Sequence, residues 1–145
     1  MSKSNTHEND YLLLMFNNTT MTLVGDAAGI LQSAAAGSLY FSLHTADPGE
    51  AGSQTTSEIA YTSYARVAVA RSAGGFTVSG NAVSLVANVT FPAGSGGSGT
   101  ATNWGLGTSS SGAGKLLYKG AISPSIVCGS GVTPQLTAGT VVTED

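Results

Sequence analysis

Ser42, His44 and Asp47 supply a hydroxyl, an imidazole and a carboxylate within one short stretch. Those are the parts of a nucleophile, base and acid set, or of a metal site. A hydrolytic zinc site needs three protein ligands, and the second histidine, His7, lies in a polar leading segment. The G-x-S-x-G spelling that exposes a serine on a strand-to-helix turn does not occur. The expectation is therefore that His44 faces solvent or a partner from the polar side of a strand, with Asp47 capping a turn. Asp47, Glu50 and Glu58 could pair as the carboxylates of a glycoside hydrolase. All three sit on or beside one polar loop, where carboxylates are usually only solvated. The run Gly94-Ser95-Gly96-Gly97-Ser98-Gly99 spells G-x-G-x-x-G. A dinucleotide site also needs a helix after it and an acid about 20 residues on. No Asp or Glu occurs between Glu58 and Glu144, so this run reads as a loop. Cys128 is alone, so no intramolecular disulfide forms, and its thiol reads as a small buried hydrophobe. These residues predict no catalytic set, no metal site and no cofactor, hence no enzyme.

The elements that would carry these residues are mostly strands. Leu39, Phe41 and Leu43 alternate with Ser38, Tyr40, Ser42 and His44, as in a strand with one buried face. Ala46-Asp47-Pro48-Gly49 reads as a turn. Arg66–Arg71 predicts a second strand with Val67 and Val69 inward, then a Gly74-Gly75 hairpin and a return strand at Phe76–Val78. A turn at Gly80-Asn81 precedes the longest alternation, Val83, Leu85, Ala87, Val89 and Phe91. The Ala93–Thr100 Gly/Ser run is expected to be the least constrained backbone. Trp104 falls in phase with Leu106, Ser109–Gly114 is a flexible turn, and Lys115–Ile122, Ser125–Cys128 and Gln135–Thr143 supply the last strands. The predicted fold is mainly β: an antiparallel β-sandwich over residues 38–145 with Phe41, Val67, Val69, Leu85, Val89 and Leu116 inward.

Residues 1–37 read differently, as an arm with one or two short helices. Met1–Asn9 is polar and expected to trail freely. Asp10 could cap a short helix through Tyr11–Phe16, although six adjacent apolar residues could equally form a buried strand. Asp26 as N-cap and Gly37 as C′ residue frame a second helix, with Ala27, Ile30, Leu31, Ala34 and Ala35 on one face. The arm is expected either to complete the core or to anchor the protein on a neighbour.

Composition narrows the partners. The 145 residues carry a net charge of −3, with 41% hydrophobic and only 9% charged residues. Gly accounts for 20 residues and Ser plus Thr for 36, which suits a turn-rich β protein. The charge-rich, apolar-poor signature of disorder is absent. Lys3, Arg66, Arg71, Lys115 and Lys119 form no cluster, so nucleic acid is not an expected partner. The longest apolar run is far short of the roughly 20 residues that span a bilayer, so no membrane segment is expected. No apolar stretch precedes Glu8 and Asp10, so no cleaved signal peptide is expected. Between Ser72 and Gly114 there is not one charged side chain, which predicts a surface covered by a partner or by a second copy, most simply in a homodimer.

Several runs carry a family resemblance. They are Leu39–Gly52, with its Thr45-Ala46-Asp47-Pro48-Gly49-Glu50-Ala51-Gly52 block, and Tyr64–Val69. Further along come Phe91-Pro92, Ala101–Gly107 and Leu116-Leu117-Tyr118. In this order the chain, over roughly residues 10–143, resembles small virion proteins of tailed bacteriophages. Some members are labelled tail fibre proteins, and others look like cement or decoration proteins of the head. The resemblance implies a jelly-roll-like β fold without catalytic residues, made in the host bacterial cytoplasm and placed on the capsid exterior. Its implied partners are the major capsid protein, clamped across neighbouring subunits, and a second copy of itself. The alternative is a tail or tail-fibre component, and the third reading a carbohydrate-active β-sandwich enzyme. Candidate contact residues are Tyr11, Phe16, His44, Arg66, Arg71 and Trp104.

Overall fold

Helix α1 (Asn5–Asn17) begins well before its apolar run. Ser4 is the N-cap, its hydroxyl accepting from the His7 amide, and Glu8 places a negative charge in the first turn. Residues 5–9 are therefore helical rather than a trailing lead, and the cap is Ser4 rather than Asp10. The helix ends at Asn18, left-handed at φ 51°, whose N–H bonds the Leu13 carbonyl. Glu8, Leu12 and Phe16 recur every fourth residue on one face and are its buried residues. The computed structural model describes residues 2–139 and 141–144.

The helix expected from Asp26 to Gly37 does not form. Asp26 still accepts from the amides of Ala28 and Gly29, at 2.9 and 3.0 Å. Gly29, however, takes φ +69°, outside the helical region, and a Cβ there would lie 2.0 Å from the Met21 carbonyl oxygen. The chain instead doubles back, and Met21 and Ile30 exchange both backbone hydrogen bonds.

The rest is β structure: β1 (Ser38–His44), β2 (Val67–Ala70), β3 (Phe76–Ser79), β4 (Ala82–Leu85), β5 (Val89–Thr90), β6 (Ser98–Gly107), β7 (Leu116–Gly129), β8 (Gln135–Leu136) and β9 (Val141–Thr143). They form sheets ordered β2-β1-β6-β7, β3-β4-β9 and β5-β8. The pairs β1–β6, β6–β7, β3–β4, β4–β9 and β5–β8 are antiparallel. The mainly β, antiparallel expectation holds, with one helix among the described residues.

Two compact units result, and the chain crosses between them at Ser38/Leu39, Val69/Ala70, Asn88/Val89 and Leu136/Thr137. The last three crossings bring β3, β4 and β9 into the unit that holds α1. There Phe16 meets Phe76 edge-on at 5.0 Å between ring centroids. The hairpin forms at Gly80-Asn81, joining β3 to β4, and not at Gly74-Gly75, because β2 lies beside β1 in the other sheet. The long alternation through Phe91 breaks accordingly, with Val83 and Leu85 on β4 and Val89 on β5.

In the second unit, Leu39, Phe41 and Leu43 share a sheet face with Trp104 and Leu106, which pair with Leu43 and Phe41 across the β1–β6 register. All five are buried, with Phe41 and Trp104 at 5.9 Å. Val67, Val69 and Leu116 are only half-buried. The Gly/Ser run is not loose: Gly94 and Gly96 bridge to Ser130 and Thr62, and β6 starts at Ser98. β7 is a single strand of 14 residues where two were expected, with a register shift opposite Ala101/Asn103.

Candidate interaction surface

The Ser42–His44 end of the polar face of β1 is buried, against expectation, while Ser38 and Tyr40 are half-buried. Segment 45–59 folds over it, tied by Thr45 N to Ser57 O at 2.8 Å and Ile59 N to Leu43 O at 2.9 Å. Ser42, His44 and Gln54 are fully enclosed beneath. Gln54 needs the space above Gly107, where a Cβ would lie 2.2 Å from its Cδ. Its Oε1 accepts from the Ser109 amide and its backbone N–H donates to Ala113 O.

His44 Nδ1 lies 2.8 Å from the Thr56 carbonyl, which can only accept. The proton is therefore on Nδ1, and Nε2 accepts from the Ser42 hydroxyl at 2.8 Å. Burial lowers the imidazole pKa, so His44 is neutral at pH 7. The pair has the spacing of a nucleophile and its base, yet both residues are closed to solvent. What it does is hold segment 45–59 on the sheet. His44 therefore faces neither solvent nor a partner.

Arg66 reaches the Glu58 carboxylate with two parallel bonds of 2.7 Å from Nε and Nη2. It also donates to the carbonyls of Ser109 and Gly112, at 2.9 and 2.7 Å. The Tyr64 hydroxyl donates to Glu58 and accepts from the Leu43 amide. Burial, first among its causes, pushes the Tyr64 phenol far above its ordinary pKa. The Arg66 side chain is 3% exposed, so it is neither an edge charge nor a surface anchor. It pins the Ser109–Gly112 turn.

The other contact candidates are scattered. Phe16 is buried against Phe76, and Trp104 is buried against Phe41. Tyr11 is half-buried, with the Lys3 ammonium 5.7 Å from its ring centroid. Arg71 donates to Met15 O and Leu14 O at the end of α1 and to Ala36 O. Tyr11, Phe16 and Arg71 belong to one unit, and His44, Arg66 and Trp104 to the other. The three carboxylates also part company. Glu58 serves Arg66, whereas Asp47 and Glu50 hold Lys119 at 3.0 and 3.3 Å beside a shallow cleft of about 260 Å³. Among the described residues no three of His, Cys, Asp and Glu gather. The charge-free stretch after Ser72 turns Phe76, Val83, Leu85, Val89, Phe91, Trp104 and Leu106 inward, and it also carries exposed neutral residues such as Thr77, Val86 and Thr90.

A model of the Gp80 family, described as podophage GP4 fiber I protein gp80, matches residues 2–144. The chain belongs to this family. It is thus a member of a family of phage structural proteins. Among curated proteins none matches the chain.

For a phage structural protein the surface to find is a contact surface, and the loop after α1 has the properties of one. Leu23 is 80% exposed and Leu31 68%, with Val24 and Ile30 close to half-exposed. Leu23 is left-handed at φ 63°, a conformation costing a non-glycine residue about 1–2 kcal/mol. The loop is braced all the same. Asn18 and Ser33 exchange two bonds of 2.9 Å, Gln32 N donates to Thr20 Oγ1, and Met21 is buried at the base. The helix expectation put Ile30 and Leu31 on one face with Ala27, Ala34 and Ala35, packed on the sandwich or on a neighbour, and left Leu23 and Val24 out, so it missed this loop. The signal available was two apolar pairs, Leu23-Val24 and Ile30-Leu31, each next to a glycine, Gly25 and Gly29, that takes positive φ.

Proposed function

We propose that this protein is a structural component of the phage fibre assembly, acting through fixed contacts with neighbouring virion subunits and not through catalysis. The observation that carries the reading is the fibre family's match to residues 2–144. The architecture supports it. Segment 45–59 and the Ser109–Gly112 turn are held by Gln54, His44 and the Glu58–Arg66 pair, which stiffens the β unit. The braced loop carrying Leu23 and Leu31 offers apolar surface to a neighbour. A cement protein clamping the major capsid protein on the capsid exterior remains the competing placement, and the fibre description fits the family better. Immunogold labelling and copy number in purified virions test the assignment. Label at the tail, with on the order of tens of copies, is expected. Hundreds of copies spread over the head would overturn it in favour of the cement placement.

A further inference from the structure

We propose that residues 46–57 form an acid-released flap, held on the sheet while His44 is neutral and lifted from it when the ring takes a second proton. The flap covers the Ser42–His44 end of β1, and its grip on the sheet is polar. Between 46 and 57 only Pro48 and Gln54 are buried. Gln54 plugs in beneath, bonded to Ser109 N and Ala113 O, and Lys119 of β7 holds Asp47 and Glu50 from outside. The far end is fixed at Glu58, paired with Arg66, and at buried Ile59, whose N–H bonds Leu43 O. A segment that buries so little apolar surface opens by itself at lower cost than the core beneath it. The flap acts within one chain, so it holds or fails whatever the placement in the virion.

The latch at His44 is built for the neutral ring. Nδ1 donates to Thr56 O, which belongs to the flap, and Nε2 accepts from Ser42. A proton on Nε2 obliges the Ser42 hydroxyl to turn from donor to acceptor and leaves a positive charge in a space closed to water. That space is tight: a Cβ on Gly105 of β6 would lie 2.6 Å from Nε2 and 2.9 Å from Leu116 Cδ1 of β7. The charged groups around the ring are already spent on one another. Glu58 favours a charged ring and Arg66 opposes it, and the two are paired, so burial decides. The Tyr64 phenol is held un-ionised by burial, first among its causes. Asp47 and Glu50 face Lys119, and the Gly49 amide, then Lys119, hold the Asp47 carboxyl below its ordinary range, so it stays charged in mild acid. Lifting the flap takes Thr56 away and lets water reach the imidazole. The protonated ring therefore belongs to the open form.

Hydrogen exchange of single amides in the full chain, read by NMR and corrected for intrinsic rates, tests the flap. The reporters are Gln54 N–H, bonded to Ala113 O, and Ser109 N–H, bonded to Gln54 Oε1. Phe91 N–H, bonded to Pro134 O in the same unit, is the reference. At about pH 7.5 the reporters are expected to be at least about tenfold less protected than Phe91 and unchanged by low urea, which marks an opening smaller than unfolding. Their protection is expected to fall from about pH 6.5 downward, where a solvated imidazole titrates. By about pH 5 the fall should reach at least about threefold, with roughly thirtyfold as the ceiling for one proton. In His44→Asn the fall is expected to vanish. Protection that drops with urea in step with Phe91, a flat pH profile, or the same fall in His44→Asn overturns the proposal. If His44→Asn does not fold, the wild-type onset decides, because His7 lies on α1 in the other unit. A fall that begins only near about pH 4 belongs to a carboxylate and overturns the flap.

Discussion

Ser42, His44 and Gln54 are shut away from water, while Leu23 and Leu31 stand in it. The two regions reverse what hydropathy alone predicts. Beneath segment 45–59, polar side chains are buried because each meets a partner: Ser42 with His44, His44 with Thr56, Gln54 with the Ser109 amide. A buried polar group with its hydrogen bonds made costs little, whereas an orphaned one costs about 1–3 kcal/mol. In the loop after α1, apolar side chains are exposed because the backbone bonds at its base leave them nowhere to fold. In these two regions burial follows hydrogen-bond satisfaction and backbone geometry more closely than residue type.

The sharpest way to break that contrast is to remove a partner on the buried side. Arg66→Met leaves the Glu58 carboxylate, itself 15% exposed, without its ion pair and releases the carbonyls of Ser109 and Gly112. A loss of about 3–5 kcal/mol in denaturant unfolding is expected. A loss below about 1 kcal/mol would show that the cluster is not what holds the turn.

Space is the next requirement. Gly107→Ala puts a methyl into the position of Gln54 and should cost about 1–3 kcal/mol. Adding Gln54→Ala should restore part of that loss, because the clash is with that side chain. An equal or larger deficit in the double variant would contradict the packing described.

Acid tests the His44 bond. Its folded pKa lies below the unfolded value of about 6.5, so below that pH the unfolded chain binds more protons. Stability contributed by neutral His44 is fully present above about pH 6.5 and is lost as pH falls toward the folded pKa. The slope is at most about 1.4 kcal/mol per pH unit for this one group. Unfolding midpoints between about pH 5 and 7.5 should show the decline in the wild type and a flatter profile in His44→Asn. Parallel profiles would mean that another group carries the dependence.

The smallest effect belongs to the exposed side. Leu31→Ser should change stability by no more than about 0.5 kcal/mol, since the residue touches little within the chain. A melting curve displaced beyond that would mean that the loop contributes to the fold and is not a free surface.

The N-terminal segment contains both behaviours. Leu12, Phe16 and Met21 are core residues, and apolar exposure begins at Leu23. Core completion and an outward-facing apolar surface therefore fall on successive stretches, divided near Met21.

The sequence by itself determined the strand-rich fold class, because period-two patterns such as Leu39/Phe41/Leu43 and Val83/Leu85 encode a buried sheet face locally. It also determined the Gly80-Asn81 turn and the inward place of Phe41, Leu85 and Val89. Helix existence at Tyr11–Phe16 was legible as one of two readings, and its true start at Ser4 was not, since the cap competes with other polar residues nearby. Only the tertiary structure decided that Ser42 and His44 are inside, because the cover comes from a segment whose own sequence is polar. It alone made Arg66 a latch, through carbonyls more than 40 residues away. It alone left Leu23 and Leu31 outside. A helix cap such as Asp26 is a local signal, and here the Met21–Ile30 bridge and the Gly29 contact with Met21 overrode it. Local periodicity states which residues can share a face. What covers that face depends on chain segments distant in sequence.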